Sequence, residues 1–243
     1  MLMTIGMDGI NKGGRRLKNS QFRIYLAGDS TVENVLPEQG NKMGWGQVIS
    51  EFFTDDVLFM NEAKGGRSSK SFIEEGRLNK ILEVIEKGDY LFIQFGHNDQ
   101  KVDEPHRGTD PYTTYQKYLT QYIVEVREKH AIPVLLTSVN RRTFTEDGKL
   151  FNGLGEYPEA MRQLALSFQV PLIDLWEKSK QLYEQLGVEG SKRLFAWYEL
   201  EDPEIPTDNT HFGRYGAREI AKLVVSGIKE LQMPFAKYSI DNS

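Results

Sequence analysis

The 243 residues contain no cysteine, which excludes disulfides, thiolate metal sites and a cysteine nucleophile. Basic charge is in deficit, with 30 Lys and Arg against 35 Asp and Glu and a formal charge of −5. A dedicated nucleic-acid binder would carry a cationic surplus to neutralise phosphates, so no nucleic-acid partner is expected. Apolar runs are short, and none reaches the roughly 18 residues of a membrane-spanning helix, so no membrane partner is expected either. Histidine is scarce, with only four. A two-metal site is hard to assemble from so few, and neither metal nor cofactor is expected. Residues 1–20 hold no apolar run of seven or more ahead of a small-residue cleavage site, so they do not read as a secretory signal.

What is present is alternation. Runs rich in β-branched and aromatic residues at 22–27, 57–60, 90–95, 134–137 and 171–174 read as strands. Helical spacing lies between and after them. It links Leu78, Ile81, Leu82 and Ile85, then Tyr115, Tyr118, Leu119, Tyr122 and Val126. It returns at Met161, Leu164, Ala165 and Phe168, and last at Ala217, Ile220, Ala221, Val224, Ile228 and Leu231. Pro111 and Pro158 stand in first helical turns, where a missing N–H is harmless. The alternation predicts an α/β protein whose largely parallel sheet is covered on both faces. No repeat or linker divides it. The expected organisation is a loosely ordered tail over 1–20, one domain over 21–233 and a C-terminal tail over 234–243. Two irregular stretches, 32–46 and 187–210, are long enough to be functional or disordered.

In open parallel sheets, ligands bind beyond the carboxyl ends of the strands. Gly28-Asp29-Ser30-Thr31 follows the first strand, Lys64-Gly65-Gly66-Arg67-Ser68 the second, and Gly96-His97-Asn98-Asp99 the third. Asp208-Asn209-Thr210-His211 precedes the last helix. A flavodoxin-like strand order, 2-1-3-4-5, makes the first three ends neighbours. A serine needs a base, and His211 can supply it, with Asp208 three residues earlier to hold the imidazole tautomer. The N–H groups of Ser30 and of the Gly65-Gly66 turn, with the Asn98 amide, suit an oxyanion hole. Each block alone has a structural reading: a tight turn for the first two, an Asn-rich turn for the third, an N-cap of the final helix at Asp208 for the fourth. Four such blocks, in order at strand exits, favour acyl transfer.

These blocks resemble the signature of the SGNH (GDSL) hydrolase superfamily. More narrowly, Tyr25-Leu-Ala-Gly-Asp-Ser-Thr31, Gly44-Trp-Gly46, Ala63 with Gly66-Arg-Ser68, Glu75-Gly-Arg77 and Phe95-Gly-His-Asn-Asp99 resemble the rhamnogalacturonan acetylesterases, which deacetylate galacturonic acid residues in the branched backbone of pectin. The resemblance spans roughly 22–231. It implies a three-layer α/β/α sandwich with a five-stranded parallel sheet. It also implies Ser30 as nucleophile, His211 as base then acid, Asp208 as orienting carboxylate, and an oxyanion hole of Ser30, Gly66 and Asn98. No GxSxG elbow surrounds Ser30, so this is not the α/β-hydrolase pattern.

The implied partner is an acetylated pectic oligosaccharide. Arg67, Arg141 and Arg142 follow strands and can bind a uronate carboxylate bidentately, or stand as solvent-exposed charge. Phe195, Trp197 and Tyr198 form a sugar platform or pack locally. The missing cysteine and signal favour a cytoplasmic enzyme on imported oligosaccharides. Rival readings are an esterase for acetylxylan or a short acyl ester and, outside enzymes, a carbohydrate-binding module.

Overall fold

Every residue of strand β3 (Tyr90–Gln94) is buried, because the sheet is covered on both sides and its central strand meets water on neither. β1 (Phe22–Gly28) and β4 (Ile132–Leu136) flank it, with β2 (Val57–Asn61) and β5 (Leu172–Ile173) at the edges. All pair in parallel, as the alternation predicts, in the flavodoxin-like order β2-β1-β3-β4-β5. The computed structural model describes residues 22–36, 38, 40–202 and 204–241. The tail expected over 1–20 lies outside them.

The period-two alternation of the strands separates the core into two layers. Ile24, Leu26, Phe92, Val134 and Leu136 face one side. There they meet Leu175 and Tyr183 of α5 (Leu175–Gly190) and Ala217, Ile220, Val224 and Ile228 of α7 (Arg214–Glu230). Tyr25, Ala27, Leu91, Ile93 and Leu135 face the other side. Their partners come from α1 (Ser69–Glu74), α2 (Arg77–Leu82), α3 (Gln116–Glu128) and α4 (Tyr157–Phe168). This is a three-layer α/β/α sandwich. Asp110, placed before Pro111, accepts from the N–H groups of Tyr112 and Thr113 and starts the π-turn that runs into α3.

Two expectations change. The segment from 234 is not a tail: Phe235 is fully buried and packs its ring on Phe22 and Tyr90 at 5.7 and 4.9 Å. The Ile240 N–H donates to Phe52 O, so the 235–240 segment is drawn onto the body of the domain. The irregular stretch 187–210 is partly helical, taking in the end of α5, a 3-10 turn over Ser191–Leu194 and α6 (Ala196–Glu199).

Candidate active site

Ser30 sits one turn beyond β1, where the N–H groups of Val32 and Glu33 both return to Asp29 O. Beneath it runs a buried polar chain. The Trp45 indole donates to Gln94 Oε1 at 2.9 Å, the Gln94 amide to Thr31 Oγ1 at 2.7 Å, and the Thr31 hydroxyl to Asp29 Oδ1 at 2.7 Å. This anchors the turn from below. Burial pushes the Asp29 carboxyl up, against the two bonds from Thr31 that lower it.

His211 Nε2 lies 2.9 Å from Ser30 Oγ, and its Nδ1 lies 2.7 Å from Asp208 Oδ2. Asp208 Oδ1 accepts from the N–H groups of Thr210 and His211. The carboxylate is thus locked by its own turn, not spent as a helix cap; the N-cap of α7 is Gly213. Half-burial pushes Asp208 up, but bonds from His211 and Lys42 outweigh it and hold the carboxyl well below the usual range. It stays ionised, as a group that steadies an imidazolium must. His211 O accepts from Ala196 N–H, and Phe195 bridges Phe212, so α6 fixes the histidine's backbone.

The second strand's exit supplies a different part. Gly65 N–H donates to Glu33 Oε2 at 2.7 Å and is spoken for. A Cβ on Gly65 would stand 2.4 Å from that oxygen, so glycine lets the two approach. Gly66 follows at φ +80°, a left-handed turn that glycine adopts without strain. Among the described residues nothing accepts from the Gly66 N–H or the Ser30 N–H. The Asn98 amide donates one hydrogen to Arg67 O at 3.0 Å, which leaves its second hydrogen to give. The Ser30 and Gly66 N–H groups and the second Asn98 hydrogen are therefore uncommitted among the described residues, as the expected oxyanion hole requires.

Of the residues read from the sequence, Asp99 does not face the nucleophile. It is fully buried and accepts from Ser69 N–H, Ser69 Oγ and Thr109 Oγ1, stitching the third block to the start of α1. Burial pushes its carboxyl up to about 7. His97 is buried too; desolvation, then the charges of Arg141 and His211, push it down to about 3. It is neutral and no rival base.

The three arginines part company. Arg141, half-buried, donates to His97 O and lies close enough for its charge to act on Asp29 and Asp208. Arg67 pairs with Glu75 at 3.0 Å and donates to Gly65 O, leaving part of its guanidinium open. Arg142 corrects the expectation of a substrate contact. It is buried and donates to Ser191 Oγ, Asn209 Oδ1 and Val188 O, tying the Asp208 turn to the end of α5. The aromatic group also divides: Phe195 packs on Tyr183 and Phe212 in the core, and Trp197 lines a cleft beside Asp208.

Two functional side chains escaped the sequence reading. Lys42 Nζ lies 2.7 Å from Asp208 Oδ2; its signal was only the unexplained 32–46 loop. Arg107 Nη1 donates to both Gly66 O and Asn98 Oδ1 at 3.3 Å, and no motif marks it.

Comparison with known proteins bears on the family and the fold. The profile of the GDSL-like Lipase/Acylhydrolase family matches residues 24–224. The chain is 52% identical over 223 residues to the rhamnogalacturonan acetylesterase RhgT of Bacillus subtilis (strain 168), covering 90% of this chain and 94% of that one. The crystal structure of YXIM from Bacillus subtilis is similar at TM-score 0.78 and 28% identity, covering 91% of this chain and 59% of that one. At 14% identity, the acetylxylan esterase Axe2 of Geobacillus stearothermophilus shares the fold, with TM-score 0.63 over 86% of this chain and 94% of that one.

Proposed function

Because the chain belongs to the GDSL-like lipase/acylhydrolase family, the SGNH hydrolases, and is a carboxylic ester hydrolase, we propose that it deacetylates rhamnogalacturonan, as polymer or oligosaccharide, and acts in pectin degradation. The observation that carries the mechanism is the continuous relay from Asp208 through His211 to Ser30, at 2.7 and 2.9 Å. Ser30 Oγ attacks the acetyl carbonyl while His211 Nε2 takes its proton. The carbonyl oxygen becomes an anion held by the Ser30 and Gly66 N–H groups and the Asn98 amide. Collapse breaks the bond to the sugar oxygen, which leaves with the proton from His211. Water then attacks the acetyl-serine by the same route, and acetate departs. Asp208 stays ionised throughout.

The choice of a pectic ester rests on the relative named above and on the Gly44-Trp-Gly46 and Glu75-Gly-Arg77 motifs. A cytoplasmic site, on imported oligosaccharides, belongs to the same proposal; it is supported by the cysteine-free composition and tested by cell fractionation. The deciding assay measures acetate released from acetylated rhamnogalacturonan oligosaccharides, acetylated xylan and p-nitrophenyl acetate. Wild type should favour the first, and Ser30→Ala should release none above background. Equal release by the two proteins would refute the serine mechanism, and a preference for xylan would refute the substrate.

A further inference from the structure

A cleft on the Asp208 side of the nucleophile takes no part in these acyl-transfer steps. About 540 Å³ in volume, it lies between residues 40–42 and the 196–210 segment, with Asp208 in its wall. Small-molecule sites run from about 300 to 1,000 Å³. Trp197 packs against the core around α7 and also lines the cleft. Its indole N–H is buried, without an acceptor among the described residues, so what the ring can offer a ligand is its face. Lys42 lines it too, 48% exposed. Its ammonium touches Asp208 Oδ2, the same oxygen that accepts from His211 Nδ1.

A cation at that oxygen works against the relay. Asp208 has to stabilise an imidazolium, and a neighbouring positive charge opposes that through space. Arg141, Asp29 and His97 also act on Asp208 or His211, but they are wholly or largely buried and fixed. Lys42 is the exposed one, on a flexible stem with three rotatable donors. A carboxylate entering the cleft meets an ammonium that can turn to it.

We propose that this cleft is a subsite for a uronate-bearing sugar ring, stacked on Trp197 with its carboxylate on Lys42, and that occupation draws Lys42 from Asp208 and frees the relay for His211. The inference rests on the pectic reading above and deepens it: the anionic neighbour of the acetylated residue is both bound and used to switch on the base. A neutral ester meets the relay with the lysine still on it.

The test compares acetylated rhamnogalacturonan oligosaccharides with the same material after reduction of its carboxyl groups. Wild type should prefer the native form by about 10- to 100-fold in kcat/KM, the span of a charge-assisted hydrogen bond. Lys42→Met should lose that preference in both kcat and KM, and Lys42→Arg should recover part of it. Trp197→Ala should raise KM for both forms and keep the ratio. With p-nitrophenyl acetate, Lys42→Met should show a higher kcat than wild type, since the imidazolium formed during attack loses a repelling charge. Persistence of the preference in Lys42→Met, or its absence in wild type, would overturn the subsite. Unacetylated oligogalacturonate gives an independent arm: by filling the cleft it should speed p-nitrophenyl acetate hydrolysis in wild type and leave Lys42→Met unchanged, and the same response in both proteins counts against the subsite. If wild type frees no acetate from either oligosaccharide, the pectic reading fails, and the oligogalacturonate arm alone decides the cleft.

Discussion

Asn98 is held at both ends of its amide. The oxygen accepts from Arg107 and the nitrogen donates to Arg67 O, so its orientation is fixed before any substrate arrives. Such preorganisation is what makes an oxyanion donor effective. Asn98→Ala should lower kcat by about 100- to 1000-fold with little change in KM, in steady-state kinetics on p-nitrophenyl acetate. Arg107→Ala, which frees both Asn98 and the Gly66 carbonyl, should lower kcat by less. The double variant should fall short of the product of the two effects, because the residues act on one unit. The contrast explains what was legible at this scale. Ser30, Asn98, Asp208 and His211 occupy strand exits or a motif before the last helix, and their chemistry demands those side chains in that order. Arg107 acts through another residue's amide from an irregular segment, and no spacing rule announces such a contact.

Short elements carry the site's alignment. Ser68 caps α1 in a reciprocal box with Ser71, and Ser69 hands its N–H and hydroxyl to Asp99, so the second and third strand exits are bolted together through a buried carboxyl. That carboxyl, pushed up to about 7 by burial, stands against about 3.9 in an unfolded chain. Between those values the folded state keeps a proton that the unfolded state has lost. Stability therefore falls as pH rises from about 4 to about 7 and levels above it. Urea denaturation across that window should show the slope in wild type and its loss in Asp99→Asn, whatever the variant's overall stability. Arg142 performs the matching task for the Asp208 turn, and its buried guanidinium grips Asn209, Ser191 and Val188 O together. Arg142→Ala should depress activity on acetylated oligosaccharide and p-nitrophenyl acetate alike, which a substrate-binding role would not do. α5 was harder to see in the sequence than α7. A core-facing position in it is Ser179, fully buried yet hydrogen-bonded to Asn140, and a serine there breaks the apolar rhythm. α7 shows the rhythm unbroken, with Ala217, Ile220, Ala221, Val224 and Ile228 all buried.

At the scale of the whole molecule, the parallel sheet follows from alternation, since parallel strands need crossovers and the covered strands advertise themselves as continuous apolar runs, whereas alternation leaves the strand order open. The C-terminus was less readable. Phe235 and Tyr238 are too few to make a periodic signal, and only the assembled fold shows them packing on Phe22 at the start of β1. Phe235→Ala should destabilise the domain by about 3–5 kcal/mol, the usual loss for a buried ring, in a single urea transition. The separation in sequence of nucleophile and base has a consequence for biogenesis. Ser30 and His211 are 181 positions apart, so a ribosome delivers the serine long before the histidine. Until the final segment emerges and docks, Ser30 is an ordinary alcohol with no base beside it. Hydrolytic competence thus arrives only with the 208–211 turn, and products interrupted before it carry a serine without its base.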